Sequence, residues 1–192
     1  MTALILGLLI FLGVHSTRVF AEDWRGRMQA RLGEGPYKGV YTLLSLLGFA
    51  LIVWGYSQAR QQPVALWTPQ PWARHLAALL TAAAFVLLAA AYVPRNGIKS
   101  RLHHPMVLGV KLWAFAHLLA NHTLADLLLF GGFLAWAALS FRAARQRDRA
   151  AATVDPAGSV AMTGVTVVLG LAAWAGFALW AHTAWIGVRP FG

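Results

Sequence analysis

The sequence predicts an all-α fold, a polytopic transmembrane bundle of about six helices with both termini on the non-cytoplasmic side. Three observations carry that prediction. The chain is 59% apolar and 11% charged, against roughly 25% charged in a soluble domain. The deficit falls in long uncharged runs, each near the ~20 residues that a bilayer core asks of a helix. The basic residues gather in alternate loops, as membrane topology requires. Runs, loops and one linker account for all 192 residues. Any chemistry therefore belongs between the helices or at their ends.

The first run is Thr2 to Phe20. It resembles a signal peptide in position, but no basic residue precedes it and no convincing small-residue cleavage site follows, so it reads as a retained helix. A polar segment, Ala21 to Lys38, leads to the second run, Gly39 to Ser57. The turn after it holds Pro63, Trp67, Pro69, Pro71 and Trp72, residues suited to the headgroup layer. The third run, Ala73 to Val93, ends at Pro94. The fourth starts at Pro105, a favoured first-turn residue, and reaches about Ala120. A short turn at Asn121 and His122 makes it a hairpin with the fifth run, Thr123 to Phe141. Arg142 to Val160 reads as a charged linker, and the sixth run spans Ala161 to about Trp180. The division is a core of residues 1–150 with about five helices, then 151–192 with the linker and last helix. The alternative is that two shorter runs dip in and out. The fourth is the most suspect, because Lys111 interrupts it.

Arg18, Arg25, Arg27, Arg31, Lys38, Arg95, Lys99, Arg101, Arg142, Arg145, Arg147 and Arg149 all fall on one side. Arg60, Arg74 and Arg189 fall on the other. The rich side is cytoplasmic by the positive-inside rule. This dispersal also sets aside nucleic acid as a partner despite a formal charge of +10, since no single basic patch forms. The expected partner is membrane lipid. No cysteine is present, which excludes disulfides, thiolate metal sites and iron–sulfur clusters. The stretch Leu32 to Gly39 resembles a phosphate loop but lacks its Gly-Lys-Ser/Thr ending. The acids lie in loops or at span ends, which argues against a carboxylate relay.

Polar residues inside spans are costly and mark candidate sites. Three stand out, His15 in the first span and Lys111 and His117 in the fourth, with His103 and His104 at the mouth of the fourth. His75, His122 and His182 read as interfacial or loop residues. A neutral imidazole can ligate haem iron without adding charge to the membrane. It can equally hydrogen-bond a neighbouring helix. Two such histidines on different helices strengthen the ligand reading, because six-coordinate haem takes two axial bonds from opposite faces. Helical spacing puts Trp113 and Asn121 on the face of His117. Asn121 or a backbone carbonyl is then placed to orient the ring. Lys111 either snorkels to the interface or pairs with an anion such as a haem propionate. Depth is the difficulty. His15 lies about 8 Å from the cytoplasmic end of its span and His117 about 18 Å. If neither tilt nor helix length corrects this, His104 becomes the better partner for His15.

The order and spacing of Gly-Val-His15-Ser, Gly33-Glu-Gly-Pro-Tyr37, Leu66-Trp67, His104-Pro-Met-Val-Leu-Gly109 and Leu-Trp113-Ala-Phe-Ala-His117-Leu-Leu-Ala-Asn121 closely resemble the NnrU family over about residues 1–150. The resemblance implies a multi-pass bacterial inner-membrane protein associated with denitrification, that is, with nitrite and nitric oxide reduction. The family is in turn similar to the plant 15-cis-zeta-carotene isomerase, a membrane haem b enzyme. Its implicated ligands match His15 and His117. One departure matters: the isomerase has a cysteine implicated in ligand exchange where this chain has Ala114. A rival resemblance links His104-Pro-Met-Val-Leu-Gly to S-adenosylmethionine-dependent membrane methyltransferases. The last fifty residues, however, hold two acids, Asp148 and Asp155, and no tyrosine, where that cofactor segment is acidic and rich in tyrosine and arginine.

Two hypotheses follow. The first is a haem b membrane protein ligated by His15 and His117, serving redox or nitrogen-oxide metabolism or isomerising a lipophilic substrate. The second is a cofactor-free assembly or transport factor in which both histidines are structural.

Overall fold

Nearly every described residue lies in a helix or a short connection, because the apolar runs leave the backbone no partner in lipid but itself. The computed structural model describes residues 1–153 and 156–191. The helices are α1 (Thr2–Phe20), α2 (Glu22–Leu32), α3 (Glu34–Ala59), α4 (Pro71–Tyr92), α5 (Gly97–Leu102), α6 (Pro105–Ala120), α7 (Leu124–Ala150), α8 (Val160–Gly176) and α9 (His182–Ile186). A π-helical turn, Phe177–Ala181, joins α8 to α9. No strand occurs among the described residues, only isolated bridges.

Among the described residues, five helical segments are long and apolar enough to cross a bilayer: Thr2–Phe20, Glu34–Ala59, Pro71–Tyr92, Leu124–Ala150 and Val160–Ile186. The protein is therefore a multi-pass membrane protein. The fourth predicted run is the exception anticipated from Lys111. It forms α6 with 16 residues, about 24 Å of helix, short of a ~30 Å core. It still runs from one end of the bundle to the other. At the basic end its N-cap, His104, meets Asp148 of α7 at 2.7 Å. At the opposite end Leu66 N–H donates to the carbonyl of His122 just beyond it.

Three boundaries differ from the sequence reading. The polar segment after α1 is helical, so the second span begins at Glu34, where Gly33 at φ +83 separates α2 from α3. That φ is open to glycine and strained for most other residues. Secondly, α7 continues through the arginines to Ala150, so the linker starts nine residues later than predicted. Finally, the last span reaches Ile186 through the π turn.

The ends of the bundle match the alternating charge pattern. At the basic end, Arg147 Nη1 donates to the Arg18 carbonyl, and Ser159 N–H donates to the Arg95 carbonyl. At the other end, Arg60 Nη1 donates to the Ile186 carbonyl and Leu124 N–H to that of Val64. Packing order follows from neighbouring pairs. α3 lies on α1, α1 on α7, α7 on α6, α6 on α4 and α4 on α8. α1 and α6 both pack on α7 and do not approach each other closely along their backbones.

The α4–α5 turn is held by Asn96, 1% exposed. Its Nδ2 donates to the carbonyls of Ala90 and Val93, and its Oδ1 accepts from Lys99 N–H. Asn96→Ala strands those buried groups, each worth about 1–3 kcal/mol when left unsatisfied. The expected result is a lower thermal unfolding midpoint in detergent, read by circular dichroism, with Ser100→Ala as a milder comparison.

Candidate functional site

His15 sits one turn and a half before the end of α1, and α7 supplies the wall opposite it. A histidine within a helix can satisfy its own Nδ1–H by bonding back to the preceding turn. Here Nδ1 pairs with the Phe11 carbonyl at 2.7 Å. Among the described residues no hydrogen bond engages Nε2, the nitrogen that would be offered to a metal. The ring stacks on Phe11 at 4.2 Å and 25° and lies near Tyr41 of α3 and edge-on to Trp136 of α7.

Trp136 adds a second unpartnered group. Its buried Nε1 has no hydrogen bond, and neither has buried Ser140 Oγ one turn further along α7. Orphaned buried donors are rare in folded proteins, and each asks for an explanation. Two of them on one face of α7, the first beside His15, mark a place where a polar group from outside the chain would be satisfied.

His117 repeats the local device. Its Nδ1 pairs with the Trp113 carbonyl at 2.9 Å, and its ring stacks on Phe130 at 4.6 Å and 27°. Of the two orienting groups the sequence offered, the carbonyl performs the task. Asn121 instead donates from Nδ2 to the His117 carbonyl, closing the end of α6. Asn121 is thus a cap and not a ring partner.

The two histidines do not meet. Their α7 neighbours, Phe130 and Trp136, are six residues apart, about 9 Å of rise, so the depth difference read from the sequence persists. Between them, Phe11 from α1 and Trp113 from α6 both pack on Phe133 of α7, at 5.8 and 5.6 Å. Phe11, Phe133 and Trp113 thus form an aromatic layer at the depth between the two imidazoles. The donor chemistry at His15 fits a haem: a tied imidazole with Nε2 unengaged, aromatic walls and two orphaned donors nearby. At His117 the same tie to a backbone carbonyl, Nδ1 to Trp113, would suit a ligand as well.

The remaining candidates resolve differently. His104 Nε2, the alternative partner for His15, is engaged by Asp148 Oδ2 at the basic end, and its ring lies edge-on to Phe141. Lys111 is exposed on the outside of α6 and shows no hydrogen bond, which matches snorkelling. No cluster of three or more His, Cys, Asp or Glu suited to a small metal ion occurs among the described residues.

The sequence reading passed over Asp126, 5% exposed near the start of α7. Thr123 and Asp126 form a reciprocal capping box, and the Tyr56 hydroxyl donates to Asp126 Oδ1 at 2.5 Å. The signal was legible, since Thr-Leu-Ala-Asp before an apolar run has the spacing of that motif. Nothing in the sequence singled out Trp136 or Ser140. Tyr56→Phe removes one donor to a buried carboxyl and is expected to lower stability by roughly 1–3 kcal/mol. Thermal unfolding in detergent measures it.

The sequence profile described as NnrU protein matches residues 3–190. The chain belongs to the NnrU family. The match includes α8 and α9, which the motif resemblance had left undecided, and so ties the last span to the same unit. No curated protein and no solved structure matches the NnrU chain.

Proposed function

We propose that this NnrU protein binds haem b beside α7, where α1 packs on it, in the bacterial inner membrane, and that His15 would hold the iron. The observation that carries the reading is the coincidence of His15, whose Nε2 is unengaged, with buried, unpartnered Trp136 Nε1 and, one turn on, Ser140 Oγ. His117 is the second ligand that the family resemblance implies. Bound there, haem supplies one-electron chemistry or a Lewis-acidic iron. The chain's own contribution is to fix the imidazole through the Phe11 carbonyl, to surround it with aromatic rings and to offer two donors to a polar edge. Family membership links the protein to nitrite and nitric oxide metabolism. Electron transfer or sensing suits a closed, two-histidine site. Isomerisation of a lipophilic substrate would need an open position on the iron, and at Ala114 this chain would supply no thiol.

A second reading rests on the stacking of both imidazoles on phenylalanine rings. In it the histidines are packing elements of a cofactor-free assembly or transport factor. The optical spectrum of protein purified from haem-replete cells separates the two. A Soret band with alpha and beta peaks on reduction supports the first, and a colourless preparation supports the second.

A further inference from the structure

The basic end of the bundle holds a cavity of about 310 Å³ lined by His103, Arg145, Asp148, Arg149, Ala152 and Thr153. It lies between the α5–α6 turn and the last two turns of α7, away from His15. From these features we propose that it is a binding site for a phosphate group, supplied by the headgroup of an anionic membrane lipid.

Arg145 and Arg149 are four residues apart on α7 and so share one face. Their guanidinium forks match phosphate oxygens in pairs. The negative charge in the cavity is already engaged, since Asp148 Oδ2 is bonded by His104 Nε2 at 2.7 Å and has Arg145 Nη1 at 3.9 Å. Depth points to a lipid. The apolar part of α7 ends at Phe141, which places Arg145 about 6 Å and Arg149 about 12 Å beyond it along the helix. That interval spans the headgroup layer of a bilayer. Basic pockets between transmembrane helices on this side take phosphate-bearing headgroups. The volume suits a headgroup, since a single small oxyanion would leave most of it unfilled. His103 and Ala152, both in the lining, hold positive φ, +65 and +48. Neither is glycine, so these two lining positions are held in place against local preference.

The test uses the full-length protein in mild detergent, with phosphatidylglycerol, phosphatidylcholine and inorganic phosphate as probes, read by native mass spectrometry. The variants are Arg145→Gln/Arg149→Gln and, as a control of equal charge change outside the cavity, Arg27→Gln/Arg31→Gln on α2. Helix content by circular dichroism accompanies each. The wild type is expected to retain phosphatidylglycerol over phosphatidylcholine, and the cavity variant to bind it about 30-fold more weakly, with the control unchanged. Millimolar inorganic phosphate should not displace the lipid. If phosphate binds instead, with no lipid preference and with loss only in the cavity variant, the phosphate site stands and the lipid source is overturned. Equal retention of the two lipids without phosphate binding, or equal loss in the control, overturns the site. None of these readouts depends on haem.

Discussion

His15→Ala removes the Soret and alpha–beta absorption of protein purified from haem-replete cells. It does so because His15 Nε2 is the unengaged nitrogen assigned to the iron. His104, the nearest alternative by sequence, is engaged by Asp148, and no cysteine exists. His117→Ala is the informative companion. If one iron joins both histidines, the variant shifts the reduced spectrum from six- to five-coordinate. An unchanged spectrum makes His15 the only protein ligand and discards the paired arrangement. Trp136→Phe keeps the ring but deletes the orphaned N–H. Haem affinity should fall by about tenfold, the lower end of the effect of losing a group that supports a ligand. His122→Ala should leave the spectrum intact, since that residue lends its backbone carbonyl to Leu66. A colourless wild type prepared under these conditions removes the haem reading altogether.

How much of this was readable beforehand follows from what each signal depends on. The spans were legible because lipid imposes length and hydropathy on each helix separately. The alternation of Arg and Lys gave the two ends for the same reason. What escaped depends on packing. Trp136 looks like eight other tryptophans in the sequence, and only burial against α1 exposes its unpartnered nitrogen. The Phe11–Phe133–Trp113 contact joins three helices far apart in sequence, so helical spacing within α1 or α6 alone cannot announce it. Spacing did place the Trp113 face beside His117. It also gave the depth mismatch between the two histidines, and that mismatch is the feature on which the shared-iron arrangement now turns. The helical extension of α7 escaped because its charges end the apolar run, although its alanines and arginines are strong helix formers.

Gly55→Leu is expected to unfold the α1–α3 half of the bundle. With little hydrophobic drive between helices in lipid, close backbone approach supplies much of the association. α1 and α3 meet through glycines. A Cβ at Gly55 would fall 2.2 Å from the Leu4 nitrogen, one at Gly48 2.7 Å from the Phe11 nitrogen, and one at Gly7 2.6 Å from the Ile52 nitrogen. These obstacles are backbone atoms, so no rotamer change relieves them and the helices must separate. Separation exposes Leu4, Leu8 and Ile52, now buried together. Overpacking typically costs 1–3 kcal/mol, occasionally more, and a backbone clash from a full leucine belongs at or above the top of that range. Gly164→Ala in α8 is the control, since nothing lies within 4 Å of its added Cβ. Helix propensity predicts a slight gain there of up to about 1 kcal/mol. Thermal unfolding in detergent and protease sensitivity at the α2 loop read both variants. The glycine contact also connects architecture to chemistry. Gly48→Ala pushes on Phe11, whose carbonyl and ring both hold His15. A protein that still folds after that change should show a perturbed haem spectrum, whereas Gly164→Ala should not. If Gly55→Leu melts with the wild type, the tight α1–α3 crossing is wrong, and the positioning of His15 derived from it is wrong too.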